Sequence, residues 1–452
     1  MHSTTSILLA CISLFAPTGC NFVVDHCIGN CELLSAGATT VGPEGTTSGS
    51  QTASADATDG ASVTSAGDAT TGSGPTVMLG TCEFIDAEPD AHCGDAILQP
   101  GDFCFGAGFS TALPPAVSSS LALRLDDDAA ADLLLSHDDR TLTAVLNGPG
   151  AFDPQIAPWA QQFPQPGVLT LVGSGDLDED GIADVVVRIQ DQQDASLHAL
   201  FLDGHGAIAG AALVGGFAHW LDTLDVVDWD ADGHLDIVGV DTSVTMIVLR
   251  GDGHGGFTST PGSVMPEASG TYAIGSFDVD GAADDFAFGV GSGPLVVTRN
   301  APGVEPEVVN LPLTDDLTLS VFQLAIADLD QDGRGDVIAV GTNFGYAPAT
   351  AEVVVALQST GLTPTHYPVD CLFNTMAVGD LDGDALPDLV TVSSDGTVTA
   401  RRNDGAGGFA QAVHAQLPFG AERVHIADIN GDGGGDIVGV AESALGVLVN
   451  AF

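Results

Sequence analysis

From residue 109 onward the chain is written in short β patterns. Phe322-Gln323-Leu324-Ala325-Ile326-Ala327 alternates between two faces and runs directly into an acidic loop, as a strand with a side-chain period of two does. Asp336-Val337-Ile338-Ala339-Val340 follows the loop as a short apolar strand. Val353-Val354-Val355-Ala356-Leu357 supplies a third strand, and a fourth leads into the next unit. Several third strands end in a Gly-rich turn before Phe, as in Gly253-His254-Gly255-Gly256-Phe257 and Gly405-Ala406-Gly407-Gly408-Phe409. Four strands in a unit of roughly 50 residues is the pattern of a propeller blade.

The unit recurs. An acidic cluster begins at Arg124, Asp176, Asp228, Asp278, Asp328, Asp380 and Asp428, at intervals of 48 to 52 residues. Repeats of this length mark a propeller or solenoid, and the pattern predicts an all-β, seven-bladed β-propeller over residues 109–452. The last unit reaches Phe452 directly after its third strand, whereas Phe109-Ser110-Thr111 precedes the first cluster and resembles the opening of a fourth strand. Residues 109–114 are therefore expected to complete blade seven and remove two sheet edges.

The clusters read Asp-x-Asp-x-Asp-Gly-x-x-Asp. Asp176, Asp178, Asp180 and Asp184 fit fully, as do Asp228, Asp230, Asp232 and Asp236, and Asp328, Asp330, Asp332 and Asp336. Asp380, Asp382, Asp384 and Asp388 keep the acids, with Ala385 where Gly belongs; Asp428, Asn430, Asp432 and Asp436 substitute one Asn. Calcium takes six to eight hard oxygen ligands, and Gly at the sixth position permits the left-handed turn that makes such side chains converge. Magnesium is less suited, because it keeps several waters. Four carboxylates about 4 Å apart make six repelling pairs, each costing ~1 kcal/mol in water and ~4 kcal/mol at an effective dielectric of 20. Five such loops in one domain of ordinary stability demand cations. We therefore expect about five Ca2+ sites, structural rather than catalytic. An EF-hand is excluded: its twelfth position is Glu, and here that position holds Val187, Gly239, Ala339, Thr391 or Gly439, followed by β-rich sequence. Two units are degenerate. The Asp278 loop reads one residue short, and Arg124 takes the first position of the opening unit, where it could neutralise the acids without metal.

On these loops and their spacing, residues 109–452 resemble the FG-GAP or VCBS-type repeat proteins, including the calcium-binding blades of the integrin α-subunit head. The resemblance implies calcium loops between the first two strands of each blade. It implies adhesion or ligand binding, with sugar binding or attached enzymatic domains in some relatives.

The segments ahead of the ring read differently. Ile7 to Ala16 is a short apolar run, followed by Pro17-Thr18-Gly19-Cys20. That resembles a bacterial lipoprotein signal with Cys20 as the lipidated residue, so residues 1–20 are expected to direct export to an outer-membrane-attached or extracellular location. Residues 21–81 are dominated by Ser, Thr, Gly, Ala and Asp, a composition that cannot offset the cost of ordering and predicts a disordered tether. Residues 82–108 form a small Cys-rich segment. Beyond Cys11 and Cys20 the six cysteines Cys27, Cys31, Cys82, Cys93, Cys104 and Cys371 point to disulfides in an exported chain. Cys27–Cys31 is a plausible local bridge, and the other four leave three pairings open.

Charge narrows the function. The formal net charge is −52, and the nine basic residues are all Arg. Lys-dependent chemistry is excluded, and nucleic acid is a poor partner because phosphate binding requires basic side chains. No His-Glu-x-x-His or Gly-x-Ser-x-Gly constellation occurs, so the chain is read as a binding module and not an enzyme. A monomeric protein-binding or adhesion propeller is the leading reading, with a carbohydrate-binding propeller as the alternative. Trp229 lies at loop position 2, equivalent to Leu177, Leu329, Leu381 and Ile429, and is expected in the core. Trp159 and Trp220 are the better candidates for stacking on a ligand.

Overall fold

The computed structural model describes residues 103–450 except 107, 149–153, 160–162, 164–165, 192–193, 243–244, 261–270, 278–284, 290–294, 300–306, 312–318, 344–349, 370–372 and 411. Residues 1–20 with Cys20, the 21–81 tether, most of the Cys-rich segment, Cys371 and the 278–284 loop lie outside the described residues. Cys104 is disulfide-bonded.

The described residues form 28 strands in seven four-stranded antiparallel sheets. The first strand of each blade faces the middle of the ring: Val117–Leu123, Val168–Gly175, Leu221–Val227, Tyr272–Gly275, Leu319–Ala327, Phe373–Gly379 and Arg423–Ala427. Each of these packs against the next, and the seventh packs against the first. The second strand of a blade is covered on both faces. Asp132–His137, Asp236–Asp241 and Asp388–Ser393 are buried along their whole length, so they read as apolar runs and do not alternate.

The core is divided among the seven blade boundaries. Leu134 and Leu142 of blade 1 pack with Leu169, Val185 and Val187 of blade 2. Leu177 and Val186 of blade 2 meet Leu221, Ile237 and Leu249 of blade 3. The series continues through Trp229 with Phe286 and Phe288, Phe277 with Leu324 and Val337, Leu329 with Met376 and Leu389, and Leu381 with Val424 and Ile437. It closes on Ile429 and Val438 against Val117 and Leu133 of blade 1. Loop position 2 of every blade thus fills the boundary with the following blade. Trp229 is where its periodic equivalence places it, with its ring 5.2 Å from that of Phe286.

Ring closure follows the expected route. Phe109–Ala112 pairs antiparallel with Ala444–Leu448, from Phe109 opposite Val447 to Ala112 opposite Ala444, and completes the sheet of blade seven. A bridge between Phe105 and Asn450 extends the pairing, and the Cys104 N–H donates to Asn450 Oδ1 at 2.6 Å. Polar contacts accompany the apolar packing at the seam between blades seven and one. His425 Nε2 and Ser120 Oγ lie 2.7 Å apart, and the Arg423 guanidinium donates to the Ser118 carbonyl.

Two expectations follow from the closure. Deleting residues 105–115 should replace one sharp unfolding transition by a broad one at lower temperature, because blade seven loses its outer strand. A truncated chain with wild-type melting would contradict this. At the seam, burial and, secondarily, the Arg423 charge push the His425 imidazole down to about 4. The stability its neutral ring contributes is complete above the ordinary histidine pKa of about 6.5 and is lost as pH falls from there toward 4, a total of roughly 3 kcal/mol. In denaturant titrations, His425→Gln should lose less stability than wild type over that window by about this amount. Identical pH dependence of the two proteins would disprove the assignment.

Candidate metal centres

Each acidic loop joins the first strand of its blade to the second, where the two must reverse direction within eight residues. Two positions take left-handed backbone. The sixth does so as expected, with φ of 89° at Gly181, 92° at Gly233, 82° at Gly333 and 95° at Gly433; Ala385 accepts 66° without being glycine. The fourth does so as well, at Glu179, Ala231, Gln331, Gly383 and Gly431, of which only the last two are glycine.

The carboxylates divide the work. Position 1 ties the turn: Asp176 accepts from the N–H groups of Asp180 and Gly181, and Asp228, Asp328 and Asp428 do the same in their loops. Position 5 accepts from the N–H two residues on, as Asp180 does from Ile182 and Asp332 from Arg334. Position 9 is a staple. Asp132, Asp184, Asp236, Asp285, Asp336, Asp388 and Asp436 are buried, and Oδ2 of each accepts the N–H of position 2 at 2.6–3.1 Å. In six of them Oδ1 accepts an N–H from the end of the third strand, donated by Asn147, Leu202, Gly251, Gln358, Asn403 or Asn450.

Position 3 is different. Oδ1 of Asp178, Asp230 and Asp330 is sealed from solvent and has no hydrogen-bond partner. A carboxylate oxygen held in that way is costly unless a cation meets it. Its neighbours converge accordingly. Oxygens of Asp176, Asp178 and Asp180 lie within 4.8 Å of one another, as do those of Asp328, Asp330 and Asp332. In blades 3 and 6 the converging sets are Asp228, Asp230 and Asp236, and Asp380, Asp382 and Asp388, so position 9 joins there and position 5 stands aside. Two oxygens on one calcium are at most about 5 Å apart, so the donor type and spacing fit that ion. In blade 7 the Asn430 amide is bonded to Asp432 in both directions, through Nδ2 at 2.9 Å and Oδ1 at 2.8 Å.

Electrostatics point the same way. Burial pushes the carboxyls of Asp132, Asp184 and Asp336 up to about 6 and those of Asp388 and Asp436 up to about 7, and it raises Asp236. Backbone donors oppose the rise, while the other carboxylates of the loop add to it. An added cation would favour the ionised carboxylates against the burial that chiefly raises them and would offset the smaller repulsion from the neighbouring acids.

The structure revises several sequence expectations. In blade 4 the N–H that meets the position-9 carboxylate Asp285 belongs to Phe277, so Ser276 and not Asp278 is position 1. That loop is one residue longer than the others, not shorter. Arg124 is exposed, and among the described residues no ion pair joins it to Asp126, Asp128 or Asp132. Trp159, expected as a stacking surface, is only 8% exposed and donates its indole N–H to the Gly206 carbonyl at 2.9 Å; Trp220 is 37% exposed. A set of inter-blade clamps escaped the sequence reading. The carbonyl of position 2 is capped by the following blade: Leu125 by Gly206 N–H, Leu177 by Gly255 N–H, and Leu329, Leu381 and Ile429 by the amides of Asn403, Asn450 and Asn147. The three asparagines stand 14 or 15 residues after their position-9 aspartates, a regularity that was available in the chain.

A family model described as an FG-GAP-like repeat matches residues 380–439, from the acidic loop of blade 6 through that of blade 7. No curated protein matches the chain. Similar solved structures include a crystal structure of BBS1N in complex with ARL6DN soaked with mercury, at 13% identity and a TM-score of 0.48, covering 75% of this chain and 94% of that one. The same complex soaked with lead gives 12% identity and a TM-score of 0.49, covering 76% and 96%. The chain is a seven-bladed β-propeller with four-stranded antiparallel blades, similar over residues 380–439 to the FG-GAP-like repeat.

Proposed function

We propose that this chain is a calcium-stiffened propeller, exported and held at a cell surface through Cys20, that binds a protein partner. The observation that carries the calcium reading is the sealed, unpartnered oxygen of Asp178, Asp230 and Asp330, repeated at the same loop position in three blades. Around each of them two further aspartates offer oxygens within reach of one ion. Calcium would be held by positions 1, 3 and 5 in blades 2 and 5, and by positions 1, 3 and 9 in blades 3 and 6. Its chemistry there is charge neutralisation and geometric fixing, not catalysis. The Asp428 loop, with Asn430 in place of one acid, is the fifth site of the set.

A protein partner is favoured over a sugar by the aromatic inventory. A lectin-like propeller would need exposed aromatic platforms at equivalent places in several blades. Trp159 and Trp229 are buried, which leaves Trp220 as the exposed member of the three tryptophans. Closed propellers display many loops on a stiff scaffold, and an acidic one selects partners with basic surface.

Each site filled to about 90% adds about 1.4 kcal/mol to stability. Melting curves in excess chelator should fall well below those in calcium, with recovery on adding calcium and weaker recovery with magnesium. Asp330→Asn should remove about one site's share of the calcium-dependent gain. A melting temperature indifferent to chelator would rule the calcium reading out. For the partner, calcium-dependent capture of surface proteins by the full chain is expected, and strong binding on a glycan array without protein capture would favour the lectin.

A further inference from the structure

Arg250 lies in the third strand of blade 3, Met246–Gly251. The next residue, Gly251, donates its N–H to Asp236 Oδ1 at 2.7 Å, which pins this strand end against the acidic loop. From there the Arg250 guanidinium pairs with Asp230 Oδ2. The other two arginine–carboxylate pairs seen among the described residues, Arg299–Glu307 and Arg423–Glu422, lie outside the acidic loops. The place just before the staple donor holds Leu146, Phe201, Leu357 and Val449 in blades 1, 2, 5 and 7. Blade 6 has Arg402 there, which makes no ion pair among the described residues.

We infer that Arg250 is a built-in counter-cation of the blade 3 loop, and that this loop takes calcium about tenfold or more weakly than the loops of blades 2 and 5. This rests on the calcium reading above. The guanidinium occupies one oxygen of the aspartate whose other oxygen, Oδ1, is the sealed and unpartnered one. A calcium ion among Asp228, Asp230 and Asp236 would have to share Asp230 with a fixed positive charge. In water, a divalent ion and a unit charge about 5 Å apart repel enough to weaken binding by about tenfold or more. The Arg250 side chain is 43% exposed, so it can swing outward under high calcium; the site is weakened and graded, not abolished. Blade 3 thus fills after blades 2 and 5 and empties before them.

Trp229, at position 2 of the same loop, gives a local reporter. Terbium takes the same hard oxygen ligands as calcium and emits when a neighbouring indole is excited. In the full chain, the terbium emission that depends on Trp229 should half-saturate at about tenfold lower terbium in Arg250→Gln than in wild type. Arg250→Lys keeps the charge and should stay within about threefold of wild type, and Trp229→Phe should remove the signal from the Arg250→Gln protein. Excess calcium should compete the signal away. Arg250→Met provides a second neutral replacement if Arg250→Gln folds poorly. Equal half-saturation in wild type and both neutral variants overturns the inference while leaving the calcium reading intact. If equilibrium dialysis finds no calcium uptake by wild type or variants, the calcium reading itself fails and this inference falls with it.

Discussion

The ring depends on seven buried aspartates. Position 9 of every blade places a carboxylate inside the fold, where an isolated charge is strongly disfavoured. It is tolerated because one oxygen takes the N–H of loop position 2 and, in six blades, the other takes an N–H from the end of the third strand. Three segments that the hydrophobic pattern alone would leave free to slide are thereby locked in register. The staple persists in blade 1, where Arg124 replaces the first acid, and in blade 4, where Ser276 does. Its role therefore does not require a complete loop. Convergence lies instead with positions 1 and 3, joined by position 5 in blades 2 and 5 and by position 9 in blades 3 and 6.

The loops belong to two blades at once. Position 2 sends its side chain into the boundary with the following blade, and in five blades the following blade caps its carbonyl through a glycine N–H or an asparagine amide. Whatever fixes a loop thus fixes a boundary. Ion occupancy in such a ring would act on the seven interfaces that hold the core, beyond the turn that binds the ion. In that case charged, exposed turns would govern the rigidity of an apolar fold. It also shows why loss at one loop would be felt at its neighbour before it is felt across the ring.

The repeat made most of the fold legible. Acidic clusters at blade spacing, each entered by an alternating strand and left by an apolar one, specify blade number and strand order, and Phe109–Ala112 supplies the outer strand of blade seven. Charge alone does not place a loop; the hydrogen bond that defines the turn does. Aligning blade 4 on Asp278 shifted its loop by two residues, whereas the Phe277 N–H fixes the true register. Trp159 lies in an outer strand, where no loop periodicity reports burial. Arg124 looked like a neutralising charge because it is adjacent in sequence. Arg250 was invisible because it reaches its aspartate from another strand, 20 residues downstream of Asp230.

A net charge of −52 on a chain without lysine would ordinarily argue for a loosened, self-repelling fold. Here the acids are sorted. Among the described residues the position-9 acids are held by backbone donors, and the acids of four loops converge to within 4.8 Å of one another. Variation among the loops then acquires a function. Blades 2 and 5 present three converging acids around a sealed oxygen, blade 7 substitutes an amide, and blade 3 brings in its own arginine. Identical loops would fill and empty together. If the loops hold calcium as proposed, graded ones would keep most of the ring stiff while one boundary softened ahead of others, and a binding surface built on such a ring would answer to calcium level without the ring coming apart.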